Sequence, residues 1–143
     1  MMTSCPFCAI IAGDEDAIFV GKWPSAIAFF PKDPATIGHT LVVPRVHIAN
    51  IWHMNSLLAR DLGEIVLDMA HRLRVALSLE GMNIINSAGE VASQTIEHLH
   101  VHLVPRYRGD AIGDIWPDFS NVSTEEIQVA ASALRSEGCQ NKE

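Results

Sequence analysis

The sequence predicts an α+β fold: a five-stranded antiparallel sheet with one long helix packed on it, an extra short helix at the N-terminus and another at the C-terminus. Three observations carry that prediction. Apolar residues recur at three- and four-residue steps through a single long segment, from Leu57 to Leu77. Five short runs rich in branched and aromatic residues surround it, three before and two after. Strands and helices do not alternate along the chain, as a doubly wound parallel sheet would require.

Phe7 to Ala12 reads as a short helix closed by Gly13, since glycine tolerates the left-handed conformation that ends many helices. AIFVGKW, 17–23, and SAIAFFP, 25–31, meet at Pro24 and read as two antiparallel strands. HTLVVPR, 39–45, is the third, preceded by the turn-forming Pro34 and Gly38. Leu57, Leu58, Leu62, Ile65, Val66, Met69, Leu73, Ala76 and Leu77 share one face of an amphipathic helix over 56–79 that ends before Gly81. MNIIN, 82–86, and EHLHVHLVP, 97–105, supply the fourth and fifth strands. Ser123 with Glu126 three residues on has the form of a capping box, which predicts a last helix over 124–135.

A chain of 143 residues, 48% apolar and 19% charged, suits one compact domain over 1–143 without disulfide stapling. Lys and Arg number 10 against 17 Asp and Glu, a net charge of -7, so the basic face that a nucleic-acid polymer needs is missing. A small phosphate remains possible, because backbone N–H groups and a few local donors suffice to hold one. No apolar run reaches the roughly 18 residues of a membrane span, and MMTSCPFC lacks the basic start and apolar core of a secretory signal. These features predict a cytoplasmic protein with no membrane partner. Three cysteines, an odd number, argue against a disulfide framework.

His98, His100 and His102 occupy every second position, with Leu99, Val101 and Leu103 between and after them. In a strand they share one face at about 6.6 Å per step, while the apolar residues pack on the long helix. Imidazole is both a zinc ligand and a nucleophile or proton carrier near neutral pH, so the row by itself admits two chemistries. The nucleophilic role needs one free ring nitrogen, an acceptor for the other N–H, and donors for the charge that develops. SAGEVASQT, 87–95, runs into the strand and offers Gly89, Ser93, Gln94 and Thr95 as a loop able to hold a phosphate, or equally as an ordinary turn. Cys5-Pro6-Phe7-Cys8 has spacing that lets both thiolates reach one metal ion. A redox pair is the rival, but such pairs follow a strand and open a helix, and only four residues precede Cys5.

The run QTIEHLHVHLVPR, 94–106, resembles the signature of the histidine triad family of nucleotide hydrolases and transferases, with a Gln four positions before the first histidine. GHTLVVPRVH, 38–47, resembles that family's preceding strand, and the Cys-x-x-Cys resembles its zinc-bearing bacterial members. The resemblance covers roughly residues 5–108 and leaves 109–143 as a C-terminal extension.

The resemblance implies that His100 attacks the α-phosphate of a nucleotide, giving a nucleotidyl-histidine that water or another acceptor resolves. It implies that His102 donates to the phosphate oxygens and that His39 orients the pair. Gln94 and Thr95 match residues that contact the phosphate and the leaving group, with Thr95 a candidate proton donor. Asn86 matches an amide near the ribose-phosphate and Phe29 an apolar residue of the base pocket. Cys5, Cys8, His47 and His98 match the ligands of a structural zinc ion, with no organic cofactor. A purine nucleotide substrate and a homodimer formed through the long helix and a neighbouring strand complete the implied picture.

The chain also departs from the family pattern. Pro31 stands eight residues before His39, where many members carry the Asp that binds the ribose hydroxyls. Ser93 stands where many have Gly. RGDAIGDIWP, 108–117, does not match the terminal pattern of the phosphoramidase branch. The expected activity is hydrolysis that releases an AMP-type nucleotide from phosphoramidates, dinucleoside polyphosphates or related adducts. The alternatives are a zinc-stabilised binding module without turnover and a nucleotidyltransferase.

Overall fold

A computed structural model describes residues 5–140. Helix α1 spans Pro6–Ala12, and strands β1, β2 and β3 span Ile18–Lys22, Ala26–Phe30 and Thr40–Pro44. Helix α2, Ser56–Leu77, is followed by β4, Gly81–Asn86, β5, Val101–Arg106, and α3, Thr124–Gln140. Single 3-10 turns at Ile51–His53 and Glu90–Ala92 are additions to the expected elements. The five strands form one sheet in the order β1-β2-β3-β5-β4, every pairing antiparallel. The described residues divide into two compact units, one ending at Ile112 and the other starting at Gly113.

Both faces of the central strands are buried, and the alternation of side chains decides what covers each. Ala26, Ala28, Val42 and Leu103 meet Leu62, Ile65, Met69 and Leu73 of α2, with Leu99 in the same cluster. On the other face Ile27, Phe29, Leu41 and Val43 pack with Phe7 and Ile10 of α1. Burying each such side chain contributes about 1.5–3 kcal/mol, so a helix as short as α1 is held by its two buried residues more than by its propensity.

The ends of the helices have local causes. Cys5 caps α1 through its sulfur, Pro6 takes the first position, and Gly13 closes the helix at φ 86°. Asn55 Oδ1 accepts the Leu58 N–H at 2.9 Å to start α2. The helix stops at Leu77, two residues short of the expected 79, because Ser78 turns left-handed at φ 51° and Gly81 opens β4 instead. Ser123 and Glu126 form the expected capping box, at 2.7 and 3.2 Å, and α3 runs on past the expected residue 135.

The fifth strand is the main correction. It begins at Val101, not at 97, because the Leu99 N–H bonds Ile48 O at 2.7 Å in place of a strand partner. Leu99 and Leu103 still face α2, as the alternation predicted. His98 and His100, however, lie on the approach to β5, ahead of the ladder that His102 joins.

Candidate active site and metal centre

His98 is fully buried. Its Nε2 lies 2.8 Å from Pro44 O, and since a carbonyl only accepts, Nε2 carries the proton and Nδ1 a lone pair. That Nδ1 faces Cys5 Sγ at 3.4 Å, Cys8 Sγ at 3.6 Å and His47 Nδ1 at 3.2 Å, while Cys8 Sγ lies 3.3 Å from His47 Nδ1. All four donor atoms lie within 4.8 Å of one another. A tetrahedral zinc with bonds of about 2.0–2.3 Å has edges of roughly 3.3–3.8 Å, so the donors sit close to the corners that such an ion needs. Two thiolates and two imidazoles also have the softness zinc prefers, and four protein ligands make a closed, structural type of site. Pro44 O holds the ring of His98 in the tautomer that leaves the ligating nitrogen free. Partial burial and the neighbouring Cys5 sulfur raise the Cys8 pKa, an opposition to the thiolate that a dication would reverse.

His100 is not part of that cluster. Its Nδ1 donates to His98 O at 2.8 Å, which leaves Nε2 as the lone-pair nitrogen. The residue is 7% exposed, and no buried side-chain nitrogen or oxygen among the described residues lacks a partner, so the unpaired Nε2 is the atom that reaches solvent. The rings of His100 and His102 lie edge to face with centroids 4.8 Å apart. Behind them the Ala35 N–H bonds His39 Nδ1 at 3.0 Å, and His39 Nε2 lies 2.9 Å from His102 Nδ1. A backbone amide only donates, so protons are placed in series: His39 Nε2–H points to His102 Nδ1, and His102 Nε2–H is left to donate outward. Burial, together with the nearby His100 and His39, pulls the His102 pKa down to about 4. Burial and His100 lower His39 as well. These two rings are neutral at physiological pH, arranged as an outward donor beside an outward lone pair.

The loop that leads to the triad is braced by Gln94. Its Oε1 accepts the Gly89 N–H at 2.8 Å, and its Nε2 donates to Ala49 O at 2.6 Å and Ile96 O at 3.0 Å. The carboxamide is therefore occupied in closing the loop. Gly89 takes φ 87° and Ser93 φ 66°, so Ser93 adopts a left-handed conformation that glycine would favour. Ser93 and Thr95 are exposed. Asn86, at the end of β4, donates from Nδ2 to His100 O at 2.9 Å, which ties that strand to the backbone of the nucleophile candidate.

The structure thus brings Cys5, Cys8, His47 and His98 to one point and His39, His100 and His102 to another, with Gly89, Gln94 and Asn86 bonded around them. Phe29 is 2% exposed and packs edge-on to Phe7 at 5.6 Å, within the core cluster on the α1 face. His53 and His71, the remaining histidines, are both exposed. The residue that sequence reasoning passed over is Phe7, whose ring lies 5.8 Å from that of His98 and 5.1 Å from that of His100. Its position between the two cysteines was the available signal.

The HIT domain family matches residues 12–109. A crystal structure of a HIT family member from Bacillus subtilis is 34% identical with a TM-score of 0.85, over 93% of this chain and 96% of that one. A Zn-bound histidine triad family protein from Mycobacterium smegmatis is 30% identical with a TM-score of 0.72, over 94% and 97%. Adenosine 5'-monophosphoramidase hnt1 of Schizosaccharomyces pombe is 28% identical over 134 residues, 93% of this chain and 97% of its own. With the match spanning most of the chain and the histidines placed as described, this protein belongs to the HIT family.

Proposed function

We propose that the protein is a nucleotide-binding hydrolase that releases a purine nucleoside monophosphate from a phosphoramidate, a dinucleoside polyphosphate or a related adduct. The observation that carries this reading is the pairing of His100 Nε2, a lone pair with access to solvent on a largely buried ring, with the proton chain through His39 and His102. His100 would attack the α-phosphorus, and the bond to the leaving amine or oxygen would break as a nucleotidyl-histidine forms; water then returns the histidine. His102 Nε2–H would bond a phosphate oxygen as charge builds there, a role that a neutral ring with a low pKa fills without competing for a proton. Thr95 and Ser93, exposed on the loop that Gln94 closes, are the hydroxyls available to the phosphate and the departing group. Asn86 would hold the nucleophile's backbone, and Phe29 would back the base from within the core. The hnt1 similarity supports the phosphoramidate class, while Pro31 at the ribose-Asp position favours a second reading, a nucleotide-binding module without turnover.

Cys5, Cys8, His47 and His98 would hold the zinc ion as a structural element. Thiolates kept as ligands suit the reducing cytoplasm, and among the described residues no helix is long and apolar enough to cross a membrane. A homodimer is also part of this reading. β4 is an edge strand with Ile84 56% exposed, and α2 leaves Leu67 and Val75 uncovered, a pairing of open edge and apolar face that a second copy would bury.

The test is incubation with adenosine phosphoramidate and with diadenosine polyphosphate. AMP release that His100→Gln loses by a thousandfold or more supports the hydrolase. Nucleotide binding without AMP supports the module, and AMP transfer to added phosphate in place of water makes it a transferase.

A further inference from the structure

The two sites share a backbone. His100 presents Nε2 only while Nδ1–H is held by His98 O, and His98 is the residue whose side chain enters the metal-ligand cluster. The position of that carbonyl is set by the His98 ring bonded to Pro44 O and by the adjoining Leu99 N–H bonded to Ile48 O. A second route runs through Phe7. It is the residue between the two cysteines, it is 5% exposed, and its ring sits edge-on against both His98 and His100. Phe7 is carried on a seven-residue helix with no acidic residue in its first turn and the sulfur of Cys5 as its cap. Isolated helices shorter than about 12 residues are marginal in water, so the aim of Phe7 depends on tertiary anchors: the burial of Phe7 and Ile10 against the sheet at one end and whatever fastens Cys5 and Cys8 at the other.

We infer that the Cys5–Cys8 clip is a positioning device for the nucleophile: Phe7 and the His98 carbonyl, both anchored at the four-donor cluster, fix the tautomer and the direction of the His100 ring. This rests on the reading of His100 as nucleophile given above. It assigns Phe7 as a positioning residue, one that acts on the reacting ring without touching substrate. It also accounts for the proximity of a closed, non-reacting ligand set to the reacting strand: the cluster sets the geometry in which the lone pair faces outward, and misplacement of a reacting atom by about 1 Å can cost a hundredfold in rate.

The experiment compares full-length wild type, Phe7→Leu and Cys8→Ser, each with zinc content measured, by long-range 1H–15N correlation of the histidine rings. The His100 signals are identified by their absence in His100→Gln. The expected result is a single Nδ1–H tautomer for His100 in zinc-loaded wild type, a mixture in zinc-free Cys8→Ser, and a mixture in Phe7→Leu at full zinc content. On adenosine phosphoramidate, Phe7→Leu should lose roughly ten- to a hundredfold in kcat with KM little changed. An unchanged single tautomer in Phe7→Leu overturns the inference. So does a wild-type kcat for that variant. Phe7→Leu keeps all four donors, so it decides the matter even where Cys8→Ser fails to fold. Failure of the hydrolase reading itself would appear elsewhere, as AMP release that survives His100→Gln, while the ring spectrum reports tautomers whether or not turnover occurs.

Discussion

His39 Nε2 donates to His102 Nδ1 across 2.9 Å, and the direction of that bond is imposed from outside the pair by the Ala35 amide, 3.0 Å from His39 Nδ1. Without His39, His102 could place its proton on either nitrogen, and half of the resulting states would present a lone pair to an anion. His39→Leu should therefore lower kcat by roughly tenfold or more, the effect of an unpaired buried polar group, with a smaller change in KM. Steady-state kinetics on adenosine phosphoramidate check this. An unchanged kcat would mean that the outward proton of His102 does not depend on its neighbour.

The same burial makes stability sensitive to acid. His102 titrates near 4 in the folded chain against 6.5 for an ordinary histidine, and His39 is shifted in the same direction. Between these values the unfolded chain binds more protons than the folded one, so unfolding free energy rises with pH. Stability is complete above about pH 6.5 and is lost as pH falls towards 4, by at most about 3 kcal/mol from His102. Urea midpoints at pH 7 and pH 5 measure the slope, and His102→Gln should flatten it. Equal midpoints for the parent protein at the two values would contradict the burial argument.

Much of this site was legible because its chemistry is tied to residue type at fixed spacing. The alternation of His98, His100 and His102 with apolar residues located the reacting segment, and Cys5 and Cys8 located half of the ligand set. The alternation misled in one respect. It implied a strand continuous from residue 97, whereas the demand of His98 Nε2 for Pro44 O and of the Leu99 amide for Ile48 O withdraws those residues from the ladder. Such bonds to distant backbone carbonyls leave no trace in side-chain pattern. Phe7 has only its place between the cysteines to mark it, and otherwise reads as one more apolar helix residue until its ring is placed against two imidazoles. The helices were more transparent, since their caps are local: Asn55, Gly13 and the Ser123–Glu126 box each act within four residues.

Gln94 tests whether the loop is shaped before substrate arrives. Its carboxamide makes three bonds that join Gly89, Ala49 and Ile96. Gln94→Ala leaves those groups to water at a cost of about 1–3 kcal/mol, mostly local to the loop. Hydrogen exchange at residues 89–96 should accelerate and kcat should fall, while exchange in α2 stays as in the parent. Uniformly faster exchange would show that the residue supports the fold at large.

Metal content gives a separate check on the four-donor cluster. One zinc per chain is expected, and removal by chelator should lower Tm by about 10 °C, the equivalent of roughly 3 kcal/mol in a domain of this size. Cys8→Ser should purify with little metal and show no further loss on chelation. A parent protein whose Tm is indifferent to chelator would remove the structural role assigned to Cys5, Cys8, His47 and His98.

Two glycines should respond to alanine with opposite signs. Gly38 sits at φ 86°, and a methyl group there would lie 2.4 Å from Leu77 Cδ1 and 3.2 Å from Pro105 Cγ. Leu77 can swing away, but the Pro105 ring is held in β5 and the left-handed backbone penalises any side chain, so Gly38→Ala should cost about 2–3 kcal/mol. The strain falls on the peptide that leads into His39, whose carbonyl-side neighbour Thr40 bonds Gly38 O at 2.8 Å, so kcat should drop along with Tm. Gly63 lies inside α2 with nothing within 4 Å of the place a methyl would take. There alanine removes only the entropy cost of a helical glycine, and Gly63→Ala should raise stability by about 0.5–1 kcal/mol without touching kcat. Denaturant titrations of the two variants beside the parent check both signs. A Gly38→Ala protein as stable as the parent would mean that the turn before His39 is not under the constraint its backbone angle implies.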